Sequence, residues 1–482
     1  MEYDFRLRIL CLDYLRMKYI LSIVYICSSF ISIAAAYDIK AYILNTANDT
    51  MYLGYYYADK QYLRDTAIKK DGYFHFKKEK ELEPGIYLLV MPPKNDFIQI
   101  FINKGETNLT IKADANEIVK TIKIEGSKDN QTFYDYLNFL EIQRPRAQAL
   151  NEKLKGADEA TKTKIQADLD QINNSVKEKQ QSILSQLPSS LSSILVKSTF
   201  DVPMIEFTGT KEEIDLKRYL YYKAHYFDHL DLGDARLLRS PLLHERLEYY
   251  VEKLTPQDPD SINFALDYLF KKLQPAEESF KYYLIHYLNK YAGSKIVGFD
   301  GIYVHLVDEY YAKGFAPWID AEQLDKMKKN ADGLRPILVG KTAPEIKVTR
   351  YPEEKPISLH GIKSPYTILF IWDPTCSHCK ASLPAIVKFY EKYKSLGVEI
   401  LAVCSQFTDK VPECWKYLED NKINPGWINA ADPYHQSKYK VLYDVKSTPQ
   451  IFILNKDKKI ISKGIGSDQL DDLMKHVLED KL

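Results

Sequence analysis

The sequence predicts a multidomain chain: a small all-β sandwich or barrel, then an all-α helical domain, then an α/β domain. Three observations carry this. Residues 37–128 consist of short alternating apolar runs with turn signals at spacings of about 8–12 residues, as in small sandwiches and barrels. Residues 129–335 hold long, charged, amphipathic stretches punctuated by proline and glycine. Residues 336–482 alternate apolar strand-like runs with helical spacing. The composition supports several cores, since 45% of the 482 residues are hydrophobic. Sixty-six basic residues balance 66 acidic ones with no basic cluster, which argues against a nucleic-acid partner. The 37 tyrosines are scattered, so they read as packing residues rather than a ligand-stacking platform.

The N-terminus reads as an export signal, residues 1–36. An apolar run from Ile20 to Ile33 follows Lys18 and ends in Ala34-Ala35-Ala36, a small-residue cleavage pattern. Cleavage there leaves Tyr37 first, and Met17-Lys18 makes a better charged start than the preceding segment. A lipid on Cys27, and through it membrane association, is the competing reading. The residues before that cysteine, Val24-Tyr25-Ile26, are large where a lipid-anchor site wants small ones. Export predicts a periplasmic or cell-envelope location, where disulfides form and are exchanged. Four cysteines then stay in the mature chain, all near its C-terminus: Cys376, Cys379, Cys404 and Cys414.

The β-rich part predicts strands over Ile39–Leu44, Met51–Tyr57, Thr66–Lys69, Tyr73–Lys77, Gly85–Met91, Ile98–Ile102, Asn108–Ala113 and Thr121–Glu125. Breaks such as Asp71-Gly72, Pro84-Gly85 and Lys104-Gly105 separate them. The helical part begins with Thr132–Lys155 and Ala157–Gln186, broken at Gly156 into a hairpin. Further helices are expected over Ser190–Ser198, Lys211–Tyr226, Leu242–Leu254, Ser261–Leu273, Ala276–Tyr291 and Gly301–Lys313. His225 and His229 stand four apart, a metal-like spacing. No H-E-x-x-H pattern accompanies them, so packing or solvation is the expected role. Asn330-Ala331-Asp332-Gly333 and Pro336 read as the last boundary.

The chemistry concentrates in the run Ile368 to Lys380. A buried-strand pattern, Ile368-Leu369-Phe370-Ile371-Trp372, leads through Asp373-Pro374-Thr375 into Cys376-Ser377-His378-Cys379. Helical spacing continues from Lys380 to about Leu396. Cys376 should therefore sit at a helix mouth, where unpaired N–H groups and the helix dipole stabilise a thiolate. Cys379, three residues on, is within disulfide reach and can resolve a mixed disulfide. A zinc site would need a second ligand pair, and Cys404 and Cys414, ten apart, do not supply one, so no metal is expected. Cys404 and Cys414 either pair or stay free, with free buried thiols the favoured state.

Several further positions match one family. Val339-Gly340-Lys341-Thr342-Ala343-Pro344, Trp372 ahead of the cysteine pair, Pro384 in the following helix and Ser447-Thr448-Pro449 before the strand Gln450–Asn455 stand at its motif positions. Residues from about 337 onward thus resemble the TlpA/ResA-type extracytoplasmic thiol–disulfide oxidoreductases of thioredoxin fold. The resemblance implies a redox-active disulfide between Cys376 and Cys379 and a cis Pro449 facing them. Trp372, Thr448 and Pro449 become substrate-side residues, and His378 a tuner of the pair. No cofactor is implied. The partners are protein thiols or disulfides and an electron donor or acceptor that the sequence does not name. The chain departs from the family where Phe370 replaces a buried acid and Ser382 a glutamate, so the group that deprotonates Cys379 is not visible. The β-rich and helical parts resemble uncharacterised modules found with such domains.

The resemblance implies this continuation: strand Val398–Cys404, helix Val411–Asn421, a strand around Trp427–Ala430, helix His435–Lys440, strand Lys459–Lys463 and a closing helix Ser467–Leu478. Two other functions compete with thiol–disulfide exchange. One is a binding or scaffold protein with an accessory redox domain. The other is a peroxiredoxin-like peroxidase, which wants a threonine where this chain has Asp373, three residues before Cys376.

Overall fold

The computed structural model describes residues 37–106 and 108–479. The expected export signal, residues 1–36, lies outside the described residues. The chain divides into two compact units between Glu248 and Tyr249. The helical stretch read as one segment is therefore shared between them.

In the first unit eight strands form two four-stranded sheets, ordered β4-β1-β7-β8 and β3-β2-β5-β6. β1 (Tyr37–Leu44) alternates as a half-buried strand must, turning Tyr37, Ile39, Ala41 and Ile43 inward. It lies antiparallel to β4 (Phe74–Lys78) and parallel to β7 (Asn108–Asp114). Met51 and Leu53 of β2 (Thr50–Tyr57) and Leu89 of β5 (Gly85–Met91) fill the same core from the other sheet. β6 (Asp96–Ile102) pairs with β5, and β8 (Lys123–Glu125) with β7. β3 runs Lys60–Ile68, longer than the expected Thr66–Lys69, because pairing with β2 extends an exposed edge strand.

Helix α1 (Lys128–Leu154) starts at Ser127, whose side chain caps the Asn130 amide. Buried Asn130 then ties the helix to β6, accepting from the Phe101 N–H at 2.7 Å and donating to its carbonyl at 2.8 Å. Asp129 accepts from the amides of Leu191 and Ser192, which fixes the start of a third helix, α3 (Leu191–Ser198). Between them α2 (Glu159–Gln186) returns along α1 as the expected hairpin, and Tyr136 and Ile183 pack in one cluster. α4 (Lys211–His225) opens with a capping box of Thr210 and Glu213.

The second unit contains α6 (Pro259–Leu273), α7 (Glu277–Ala292), α8 (Asp300–Leu306) with a π-turn Val307–Tyr311, and α9 (Ala321–Leu334). α5 (Pro241–Glu252) spans the division. α6 buries Ile262, Ala265, Leu266, Leu269, Phe270 and Leu273, one stripe at helical spacing. Tyr283, Tyr287 and Tyr311 are buried here, in the packing role expected of them. α9 runs straight through Asn330-Ala331-Asp332-Gly333, residues expected to break the chain, and ends at Leu334, just ahead of Pro336. Leu324, Met327, Ala331 and Leu334 recur along it at helical spacing, with only Ala331 fully buried. Gly333 is there for close approach rather than a turn: a Cβ would lie 3.1 Å from Asp444 Oδ1.

The remaining residues build a seven-stranded sheet, ordered β10-β9-β13-β12-β11-β14-β15. Central β11 (Tyr366–Trp372) is parallel to β12 (Val398–Cys404) and antiparallel to β14 (Gln450–Asn455). Ile368, Phe370 and Trp372 face a core shared with helices α10 (Ser377–Tyr393) and α13 (Leu470–Glu479). Leu369 and Ile371 face the other side with Tyr439, Tyr443 and Phe452. Burial on both faces explains the unbroken apolar run. β13 (Ile428–Ala431) and β15 (Ile460–Lys463) complete the inner order. β9 (Lys347–Tyr351) and β10 (Lys355–Ser358) form an additional hairpin whose charged, exposed residues left no strand pattern.

Two further corrections concern the end of β12 and the segments after it. The helix expected over His435–Lys440 forms only at α12 (Tyr439–Leu442), since His435 and Lys438 have φ of +53° and +54°. Cys404 and Cys414, expected free, are disulfide-bonded, with Cα atoms 6.4 Å apart and both side chains buried. A short 3₁₀ turn, Thr408–Lys410, folds α11 (Val411–Asp420) back against the end of β12 and brings the pair together, which linear spacing does not reveal. Removing this link by Cys404→Ala with Cys414→Ala should lower stability by about 2–3 kcal/mol, the loop-closure value for a short cross-link. Denaturant unfolding under non-reducing conditions measures it; an unchanged midpoint would show that the link does not constrain the unfolded chain.

Candidate active site

β11 ends at Trp372, and the chain turns through Asp373, buried Pro374 and Thr375 before α10 begins. Cys376 is the N-cap of that helix. Its Sγ accepts from the Cys379 N–H at 3.4 Å, taking one of the amides that a helix start leaves unpaired. In the thiol form the same sulfur donates to the Thr448 carbonyl at 3.2 Å. The Thr448-Pro449 peptide is cis, as the family resemblance implies, and lies against Cys376. Cys376 is partly exposed while Cys379 is fully buried, and both are free thiols.

This geometry separates the two sulfurs chemically. Burial works against the Cys376 thiolate, but hydrogen bonds from the Cys379 amide and thiol, the Thr448 side chain and the His378 amide outweigh it. The Cys376 pKa is accordingly lowered. An anion at an exposed helix N-terminus gains only about 0.3–1 kcal/mol from the dipole, so the direct donors decide. Burial pushes the Cys379 thiol up to about 12, with the hydrogen bond to Cys376 adding to the rise. Cys376 thus ionises at a lower pH than an ordinary thiol while Cys379 holds its proton.

Asp373 holds the turn. Its carboxylate accepts from Thr375 N and Oγ1 at 2.8 and 2.6 Å, from Ser405 Oγ at 2.7 Å and from Gln406 Nε2 at 2.9 Å. Partial burial opposes its charge, but these donors prevail and keep its pKa below the usual carboxylate range. The Asp373 carbonyl also accepts from the Cys376 N–H at 3.2 Å, and Ser405 N–H bonds the Trp372 carbonyl at 2.8 Å. In the sequence Asp373 stands out only as the residue where a peroxidase would have threonine. An acid two residues before a threonine is an Asx-turn signal that could have flagged it. Ser405 and Gln406 lie far along the chain from Cys376 and carry no local signal.

The other expected site residues fall into two groups. His378 and Ser377 are exposed at the first turn of α10. Thr448 and Pro449 are partly exposed beside Cys376. Trp372 is 1% exposed, parallel to Phe370 and packed near Tyr417, so it supports the site from within and offers a substrate no surface. Phe370 is fully buried, and the Ser382 hydroxyl donates to the His378 carbonyl at 2.8 Å, so neither supplies a base for Cys379. His225 bonds Asp228 at 2.6 Å and His229 packs edge-on against Phe200; the two do not converge.

A seven-stranded mixed sheet with an N-capping cysteine, a buried second cysteine and a facing cis proline defines a thioredoxin-fold redox protein. Similarity to known proteins agrees. Residues 339–463 match the AhpC/TSA family, and residues 37–133 and 159–335 match two domains of unknown function, DUF4369 and DUF5106. The thiol-disulfide oxidoreductase ResA of a Bacillus cereus strain is 31% identical over 135 residues, which is 28% of this chain and 74% of that protein. ResA of Bacillus anthracis is 29% identical over 144 residues, 29% of this chain and 78% of that one. Among solved structures, a domain of a possible thiol-disulfide isomerase from Cytophaga hutchinsonii is 32% identical with a TM-score of 0.28, covering 30% of this chain and 96% of its own. A thioredoxin-like protein from Bacteroides caccae is 20% identical with a TM-score of 0.42, covering 58% and 99%. The chain belongs to the ResA family of thiol-disulfide oxidoreductases through its C-terminal α/β part.

Alkylation of the reduced protein across a pH series should show Cys376 reacting with a midpoint below that of a free cysteine, and Cys379 silent throughout the neutral range. A Cys376 midpoint at the free-thiol value would contradict the donor arrangement. By linkage, ionised Cys376 stabilises the reduced fold above the free-thiol range, and this gain is lost as pH falls through its lowered folded value. The stability difference between the reduced protein and its Cys376→Ser variant should therefore grow as pH rises through that range.

Proposed function

We propose that the chain exchanges disulfides with proteins of the cell envelope through Cys376-Ser377-His378-Cys379. The Cys376 thiolate attacks one sulfur of a substrate disulfide, forming a mixed disulfide and releasing the other sulfur as a thiolate. Cys379 gives up its proton and attacks the Cys376 sulfur, the second substrate thiolate leaves, and two electrons have passed to the substrate. In the opposite direction the same steps oxidise a dithiol. The cis Thr448-Pro449 peptide presents backbone to the substrate strand beside the reacting sulfurs. Trp372 acts by packing beneath the loop. The observation that carries this reading is the Cys376 sulfur, held at a helix mouth by the Cys379 amide, with the second thiol buried directly behind it.

His378 adjusts the balance. An imidazole between the cysteines adds donors to the thiolate side and raises the reduction potential. An electron donor or acceptor outside the chain sets the direction, and the apolar N-terminal segment supports a location beyond the cytoplasmic membrane. The sequence boundaries at 128 and 335 are our proposal for its modules. Peroxide reduction is the weaker reading: Asp373, fully engaged by Thr375, Ser405 and Gln406, puts a negative charge where a peroxidase needs a neutral hydroxyl.

Reduction of a disulfide-bonded test protein should fall to the uncatalysed background in Cys376→Ser, and Cys379→Ser should accumulate a mixed disulfide visible on a non-reducing gel. Turnover unaffected by Cys376→Ser would end this assignment. His378→Ala should make the Cys376–Cys379 couple more reducing by at least about 30 mV, a tenfold change in its equilibrium constant. Equilibration against glutathione reads this, and an unchanged potential would remove His378 from the tuning role.

A further inference from the structure

The loop carrying Pro449 is bordered on its outer side by residues from well before the sheet. A cleft of about 400 Å³ is lined on one wall by Asp444, Lys446, Gln450 and Gly464, and on the other by the turn between α7 and α8, Ser294 to Gly298. Lys446 and Gln450 are the two ends of the loop whose Thr448 carbonyl touches Cys376 Sγ, so the cleft borders that loop.

The two walls are fastened together. Lys446 Nζ donates to Asn330 Oδ1 of α9 at 3.3 Å, and Asp444 sits against Gly333 of the same helix. Lys463 pairs with Asp300 at the start of α8. Lys446 also pairs with Asp444 at 3.0 Å, so these four charges are used in pairs, while Lys295 on the far wall is exposed. Beside Lys295 the far wall exposes two apolar side chains: Ile296 is 61% exposed and Val297 37%. They are held outward by a chain of tight turns, with Ile296 N–H on Ser294 Oγ at 3.2 Å, Phe299 N–H on the Ile296 carbonyl, and Gly298 at φ +88°. A rigid lip of two neighbouring apolar residues suits apolar side chains.

We propose that Ile296 and Val297 form a substrate-recognition lip. It takes the apolar side chains that flank the target cysteine of an extended polypeptide laid across Lys446–Gln450. This rests on Cys376 being the attacking sulfur and assigns part of the helical segment to substrate selection.

The test is a single turnover of the reduced full chain with two synthetic peptides. Each has a central cysteine disulfide-bonded to thionitrobenzoate, flanked by leucines in one peptide and by serines in the other. Attack by Cys376 joins its sulfur to one sulfur of the probe and releases the other as a thiolate. Closure of the Cys376–Cys379 disulfide then frees the second, so the enzyme dithiol supplies both electrons. The wild-type chain should react about tenfold faster with the leucine peptide, a difference of the size that partial burial of two apolar side chains provides. Ile296→Asp with Val297→Asp should abolish that preference while leaving the reaction with 5,5′-dithiobis(2-nitrobenzoate), which has no flanking chain, unchanged. Equal wild-type rates for the two peptides, or a preference that survives in the double variant, would overturn the lip. A wild-type chain unreactive toward the small disulfide as well would overturn the redox assignment itself.

Discussion

One sulfur standing in for a helix-capping oxygen governs this site. A helix start exposes amides that need an acceptor, and Cys376 supplies one in Sγ. The thiolate is a better acceptor than the thiol, so the fold favours ionisation at that atom alone. Cys379, one turn further and buried, meets the opposite condition: little solvent to support its charge. The same helix turn thus makes one sulfur a nucleophile and keeps the other protonated until the first has reacted.

That arrangement survives only if the turn before the helix is rigid. Three features hold it from different parts of the chain. The Asp373 carboxylate gathers donors from its own turn and from the segment after β12. The Cys404–Cys414 link anchors the end of β12, next to Ser405 and Gln406. The cis Thr448-Pro449 peptide closes the other side. Asp373 is thereby a poor candidate for the missing base: a carboxylate with a lowered pKa and its lone pairs occupied has little tendency to take a proton.

The helical residues of the second unit are more than a spacer. Asn330, Gly333 and Asp300 meet the sheet at Lys446, Asp444 and Lys463, around the loop that faces the sulfurs. The helices of the second unit and the loop facing the sulfurs thus share one support.

Much of this was legible before any coordinates. Alternation at period two located the eight strands of the first unit, and the Ile368–Trp372 run with the helical spacing after it placed Cys376 at a helix mouth. Both are local consequences of side-chain direction along a chain. Charged β9 and β10 carry no such pattern, and in α9 the break signal of Asn330-Ala331-Asp332-Gly333 masks the helical spacing of Leu324, Met327, Ala331 and Leu334. The Cys404–Cys414 bond, the clamp on Asp373 and the enclosure of Trp372 depend on residues that meet only when the chain doubles back. Linear order carries the period of each element; which ends come together is decided by packing, where the Cα separation of two cysteines or the donors around one carboxylate first take a value.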